Sequence, residues 1–194
     1  MTKKLAILTA VTFFFSMILY LSGALDYFEL KAYDIYCRYL NPATVADNIV
    51  IVKIDQTSID AQSKVAVNWP WPRGLYAPII DYLSDADAVF IDILYTESSF
   101  YGVDDDQLFA DAIKKAGNVY IAVFLSENPP TQVSEAQAAF ISRISLKDNA
   151  TAVRAFNSMI PPLEVLMEAV QGGGNVSISP DMDGIYRKIP MICQ

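Results

Sequence analysis

The 194-residue chain contains no histidine. That absence excludes histidine-based nucleophile triads, histidine general bases and histidine metal ligands. Any catalysis would rest on carboxylates, lysine, tyrosine, serine or a cofactor. Cysteine is nearly absent too: Cys37 and Cys193 are the two present. They are too few and too far apart for a zinc site or a redox dithiol. In an oxidising compartment they are able to form a disulfide; two small buried residues is the equal alternative. Basic residues are scarce, 14 against 22 acidic, for a net charge of −8. Two of the 14, Lys3 and Lys4, precede an apolar run, so the remainder carries 12 basic and 22 acidic residues. Such a surface argues against nucleic acid and against an anionic membrane face.

Charge is missing altogether from Leu5 to Leu25. A helix of that length rises about 30 Å, the thickness of the hydrocarbon core of a bilayer. Lys3 and Lys4 favour a cytoplasmic amino end. Asp26 and everything after it would lie outside the cytoplasm. A cleaved secretion signal has an apolar stretch of about 7–15 residues, with Ser22-Gly23-Ala24 as the candidate cut here. The run from Phe13 to Leu21 extends the stretch beyond that length and favours an uncleaved anchor. Apolar residues surround the segment on all sides, unlike the one-sided stripe of a soluble surface helix.

About 165 residues remain, enough for one domain with its own core. Leu25, Phe28, Ala32, Ile35 and Tyr39 recur at helical spacing and predict a helix to about Leu40, where Asn41-Pro42 ends it. Asp34 and Arg38, four apart, are placed to pair on one face. Asn48–Ile54 reads as a buried strand ending at Asp55, and a loop containing Trp69-Pro70-Trp71-Pro72-Arg73 follows. Leu75–Leu83 reads as a helix, and Ala88–Leu94, carrying Asp92, as a second strand. Asp104–Asp106 open a helix with an apolar face of Leu108, Phe109, Ala112, Ile113 and Ala116, stopped by Gly117. Asn118–Leu125 is a third strand. A helix is expected over Glu135–Ile144, and another from Pro161-Pro162 to Val170, stopped by Gly172-Gly173-Gly174. Asn175–Ser179 and Ile185–Ile192 read as an antiparallel hairpin around Pro180–Gly184. The expected fold is α/β: a mostly parallel sheet flanked by helices, with an antiparallel C-terminal hairpin, preceded by one transmembrane helix. The chain stops two residues past an apolar strand, which reads as a truncated end. No internal repeat or low-complexity tract is visible.

In open parallel sheets ligands sit at the carboxyl ends of strands. Asp55 and Asp92 hold such positions, with Glu97 and Asp104–Asp106 close after in sequence. Carboxylates gathered there suit Mg²⁺ or Ca²⁺, which gives the alternative of a metal-dependent hydrolase or phosphotransferase using Asp55 and Asp92. Asp55-Gln56-Thr57-Ser58 lacks the second aspartate that an aspartyl-phosphate motif requires, since Thr57 stands there. Asp55 as a cap and Asp104–Asp106 as helix-start charges are the plainer readings. Trp69, Trp71 and Arg73 combine flat indoles with a planar cation between stiffening prolines. They serve either as a binding edge or as a clamped loop, with Arg73 paired to Asp55 or Asp92. As an exposed loop they would instead form the interface of an adhesion module. Asp183-Gly184 marks a turn, and Pro190 an edge strand.

These strings together resemble the second type of CHASE domain, an extracellular sensory module associated with cyclases and histidine kinases. The matching pieces are Glu29…Tyr33-Asp34…Arg38, Ile49–Asp55 with Ser58, Trp69–Arg73, Phe90-Ile91-Asp92, Asp105-Asp106…Phe109-Ala110…Ala112-Ile113, Gly174-Asn175, and Asp183-Gly184-Ile185…Arg187…Pro190. The Trp69–Arg73 and Asp183–Pro190 strings are the specific ones. The resemblance implies a bacterial extracytoplasmic sensor, followed in such receptors by further membrane helices and a cytoplasmic nucleotide cyclase or protein kinase. The expected organisation is residues 1–4 in the cytoplasm, 5–25 across the inner membrane, and 26–194 as a periplasmic sensory domain. No residue is assigned catalysis, and no cofactor or metal is assigned. Asp55, Trp69, Trp71, Arg73 and Asp92 form the expected sensing cluster. Asp34 and Arg38 are expected to transmit the signal. The expected partners are the bilayer, an output domain in the same polypeptide, an unidentified ligand and a second copy of the chain as a homodimer.

Overall fold

The structure, a computed structural model, describes residues 2–40, 46–129, 132–145 and 156–187. The chain divides into two compact units, Met1–Lys53 and Ile54–Gln194.

In the first unit, α1 spans Thr2–Leu21 and α2 spans Ala24–Ile35, continued by a π-helical turn over Tyr36–Leu40. The stretch Lys3–Leu21 is long and apolar enough to cross a membrane, with mean hydropathy 1.9 and none of it buried. The expected continuous helix is broken once. Gly23 adopts φ 69°, a left-handed conformation that glycine takes at little cost, and it separates α1 from α2. Asp34 pairs with Lys31 at 3.8 Å rather than with Arg38 as the spacing predicts, and Arg38 lies over the Tyr39 ring at 5.5 Å. Residues 49–52 correct a second expectation. They do not form a strand, and Ile49, Val50, Ile51 and Val52 are exposed. β-branched residues make a strand only where another strand takes up their backbone groups, and none does so here among the described residues.

The second unit begins with α3, Gln56–Ser63, where the sequence suggested a loop. A 3₁₀ turn over Arg73–Tyr76 leads into α4, Ala77–Tyr82. Then follow β1 Val89–Ile91, α5 Val103–Ala116, β2 Val119–Ser126, α6 Glu135–Ile144, β3 Ser158–Ile160, α7 Glu164–Ala169 and β4 Gly172–Asn175. β2 is the hub of the sheet. It pairs in parallel with β1, Val89 opposite Val119, and in parallel with β4, Tyr120 opposite Gly172. It pairs antiparallel with β3, Phe124 opposite Ile160. The sheet is therefore mixed. Its antiparallel component comes from β3, a segment the sequence did not mark.

Val119, Ile121, Ala122 and Val123 are all buried, the unalternating pattern of a strand covered on both faces. Phe109 and Ile113 of α5, Phe140 of α6 and Leu166 of α7 complete the core. Each such side chain contributes about 1.5–3 kcal/mol by leaving water.

The glycines Gly172-Gly173-Gly174 form β4 instead of stopping α7. The reason is close approach. A Cβ at Gly173 would stand 2.9 Å from Phe140, one at Gly174 3.1 Å from Phe90, and one at Gly172 3.1 Å from Tyr120. The expected C-terminal hairpin is absent among the described residues. Asp181–Gly184 makes the turn, with the Asp181 N–H donating to Ile185 O at 2.9 Å, but Ile185–Arg187 is not a strand. The Arg187 side chain is buried against Asp183 at 2.7 Å and Asp181 at 3.1 Å. The rest of the expected strand, with Pro190 and Cys193, lies outside the described residues. Cys37 is exposed.

Candidate functional site

Pro70 and Pro72 fix two backbone angles and remove two donors from the Trp69–Arg73 string. The next two N–H groups open a 3₁₀ turn and need acceptors. One carboxylate supplies both. Asp105 Oδ2 accepts the Arg73 N–H at 2.7 Å, and Oδ1 accepts the Gly74 N–H at 2.8 Å. The Arg73 side chain runs inward. Its Nη1 donates to Asp106 Oδ1, its Nη2 donates to the Glu97 backbone oxygen, and its plane lies 4.9 Å from the Tyr95 ring centroid. Asp106 also accepts the Ser99 N–H at 3.1 Å, and the Ser99 hydroxyl donates to Asp105. Adjacent aspartates on the first turn of α5 thus divide the task. Asp105 holds backbone and Asp106 holds the guanidinium, with the helix dipole favouring both charges.

The balance of forces on Asp105 is legible. Burial raises its pKa. The Ser99 hydroxyl, the Gly74 and Arg73 N–H groups and the Arg73 charge lower it by more, so it lies below the usual carboxylate range. Burial drives the Tyr95 and Tyr76 phenols above their ordinary value.

An aromatic series leads from the surface into the core. Trp69 meets Trp71 edge to face at 5.6 Å, Trp71 meets Tyr76 at 6.2 Å, and Tyr76 and Tyr95 meet Phe109 at 5.7 and 5.3 Å. Beside this series lies a cavity of about 270 Å³, lined by Trp69–Trp71, Arg73, Tyr76 and residues 93–101. Trp69 is 47% exposed and Phe100 87%, so both stand at its rim.

Of the expected sensing cluster, the structure brings Trp69, Trp71 and Arg73 together. Asp55 is exposed and caps α3, accepting the Ser58 N–H and hydroxyl, each at 2.9 Å. Those two bonds, the backbone one foremost, lower its pKa. Asp92 is exposed just after β1. Arg73 pairs with Asp106, not with Asp55 or Asp92: Asp106 stands beside the Asp105 that holds the Arg73 backbone, whereas Asp55 is taken up in capping α3. Among the described residues, no group of three or more Cys, Asp or Glu is placed to hold a metal ion. Sequence reasoning missed Asp105, Asp106, Ser99, Tyr76 and Tyr95 as members of this site. For the two aspartates a signal existed: Asp105 stands four before Phe109, and Asp106 stands three before it and seven before Ile113. Helical geometry puts those positions on the buried face of α5.

The geometry can hold a small molecule among aromatic walls over a neutralised cation. The model of the CHASE2 domain family matches residues 8–194. No curated protein and no solved structure matches the chain. Since the match runs over nearly its whole length, the chain belongs to the CHASE2 family, the extracellular sensory domains of signalling receptors.

Proposed function

We propose that the chain is the periplasmic sensory input domain of a bacterial receptor, anchored in the inner membrane by α1 with its amino end in the cytoplasm. A cytoplasmic output domain of the same polypeptide, a nucleotide cyclase or a protein kinase, receives the signal. The family match over residues 8–194 carries this reading. The unburied apolar helix Lys3–Leu21 and the preceding lysine pair support the anchor and its orientation. The Trp69–Trp71–Arg73 cavity is the sensing site. The helical segment containing Asp34 and Arg38, which follows the anchor in sequence, transmits the signal. A ligand drives such a switch only through different affinities for two arrangements.

Two measurements test the reading. Alkaline phosphatase, active only outside the cytoplasm, is fused after Arg187; an inactive fusion together with a fluorescent cytoplasmic reporter at the same point would refute the orientation. In the full-length receptor, Asp34→Ala and Arg38→Ala are expected to change basal output. Unchanged output with an unchanged stimulus response would remove the transmission role.

A further inference from the structure

The Trp71 indole nitrogen is buried without a hydrogen-bond partner, and Trp71 lines the cavity. An indole nitrogen only donates, so what it lacks is an acceptor. A buried donor left unpaired carries a desolvation cost that a ligand oxygen would relieve. The Tyr95 hydroxyl, on a side chain 7% exposed, is the second such group on the same wall. Its neighbour Tyr76 also lines the cavity, with the two ring centroids 6.3 Å apart.

Charge narrows the ligand class. The ionisable side chains on the lining, apart from the tyrosines, are Arg73 and Glu97. Arg73 already faces Asp106, with Asp105 beside it, so no uncompensated cation attracts an anion. The Glu97 side chain is exposed, so water screens its charge, and an organic cation would meet the Arg73 guanidinium, which already covers Tyr95. Size narrows it further, because about 270 Å³ falls below the roughly 300–1,000 Å³ of sites for drug-sized ligands.

We propose that the cavity binds a small neutral molecule with one flat ring and a carbonyl or hydroxyl oxygen. The ring lies against Trp69 and Trp71, and the oxygen accepts the Trp71 indole N–H. The proposal rests on the reading of this cavity as the sensing site.

The chain has two tryptophans, both on the cavity wall, so their fluorescence reports on it. The full chain in detergent is titrated with benzamide, benzoate and benzyltrimethylammonium, three single-ring probes that differ in charge. Saturable binding of benzamide, about tenfold tighter than either ion, is the expected result. Trp71→Phe keeps the wall but removes the donor; read through Trp69, it is expected to weaken benzamide about tenfold. No saturation with benzamide, a charged probe that binds tighter, or a folded Trp71→Phe chain of unchanged affinity would each overturn the proposal. The charge series uses the wild-type chain, so it decides even where the variant does not fold. Output of the full-length receptor separates the two readings. If Trp69→Ala alters the stimulus response while benzamide fails to bind, the ligand class falls and the sensing site stands.

Discussion

The Arg73 guanidinium, drawn into the domain from a proline-flanked loop, ends on the carboxylate of Asp106, a residue 33 positions further along the chain. With side chains 10% and 5% exposed, the two are nearly dry. Removing one partner leaves the other charge buried alone. Arg73→Met and Asp106→Asn are each expected to destabilise the fold by about 3–5 kcal/mol. Denaturant unfolding of the full chain in detergent measures this, and a double-mutant cycle isolates the pair. Asp55→Asn and Asp92→Asn are expected to show no coupling to Arg73. Coupling to either would restore the pairing that the sequence suggested.

Acid should loosen the same region. The folded pKa of Asp105 lies below its unfolded value of about 3.9. The stability that this difference contributes is present above the unfolded pKa and is lost as pH falls through the folded one. Asp55 acts with the same sign. Asp105→Asn is therefore expected to flatten the acid limb of a stability-against-pH curve. A limb as steep as the wild type's would show that Asp105 is not its source.

The three glycines of β4 should tolerate side chains unequally. Gly173→Ala brings a Cβ to 2.9 Å from Phe140 and 3.3 Å from the Ile121 carbonyl, so both core and backbone must yield. Overpacking of this kind costs about 1–3 kcal/mol. Gly172→Ala and Gly174→Ala each press first on a single aromatic ring and are expected to cost less. Equal losses at the three positions in thermal unfolding would contradict the packing described.

Tyr95→Phe removes a buried hydroxyl that has no hydrogen-bond partner and keeps the ring against Phe109 and Arg73. The ligand-free chain is expected to be as stable as the wild type or slightly more so. A loss above about 1 kcal/mol would reveal a hydrogen bond to that hydroxyl.

Mg²⁺ or Ca²⁺ is expected to leave the unfolding temperature unchanged. At a hundredfold excess over Kd, a bound ion would add about 2.7 kcal/mol. A rise of that size, abolished in Asp55→Asn, would return the chain to the metal-dependent enzymes.

Local signals reported several of the helices, though not α3, which stands where a loop was expected. α6 was legible from end to end, because Ser134 and Gln137 form a reciprocal capping box ahead of an apolar stripe. α5 ends at Gly117 as its apolar spacing predicts, although Leu108, assigned to the buried face, is exposed. Strands fared worse, because a strand is defined by its neighbour. Ile49–Val52 has the composition of a strand and no partner among the described residues, whereas Gly172–Asn175 has the composition of a turn and lies beside β2. The site divided in the same way. Trp69, Trp71 and Arg73 announced themselves as an unusual string. Their partners Asp105 and Asp106 looked like ordinary charges at a helix start, and only the helical offset to Phe109 marks them as inward.

Held by a single contact, the Trp69–Arg73 loop would be free to swivel. On the first turn of α5 alone it has two, since Asp105 grips its backbone while the adjacent Asp106 grips its side chain. Two neighbouring anchor points fix attitude as well as position, as a bracket does where a single pin would not. The loop and the first turn of α5 must therefore travel as one part. Because α5 packs Phe109 and Ile113 into the core over the sheet, a tilt of the tryptophans becomes a tilt of the whole 14-residue helix.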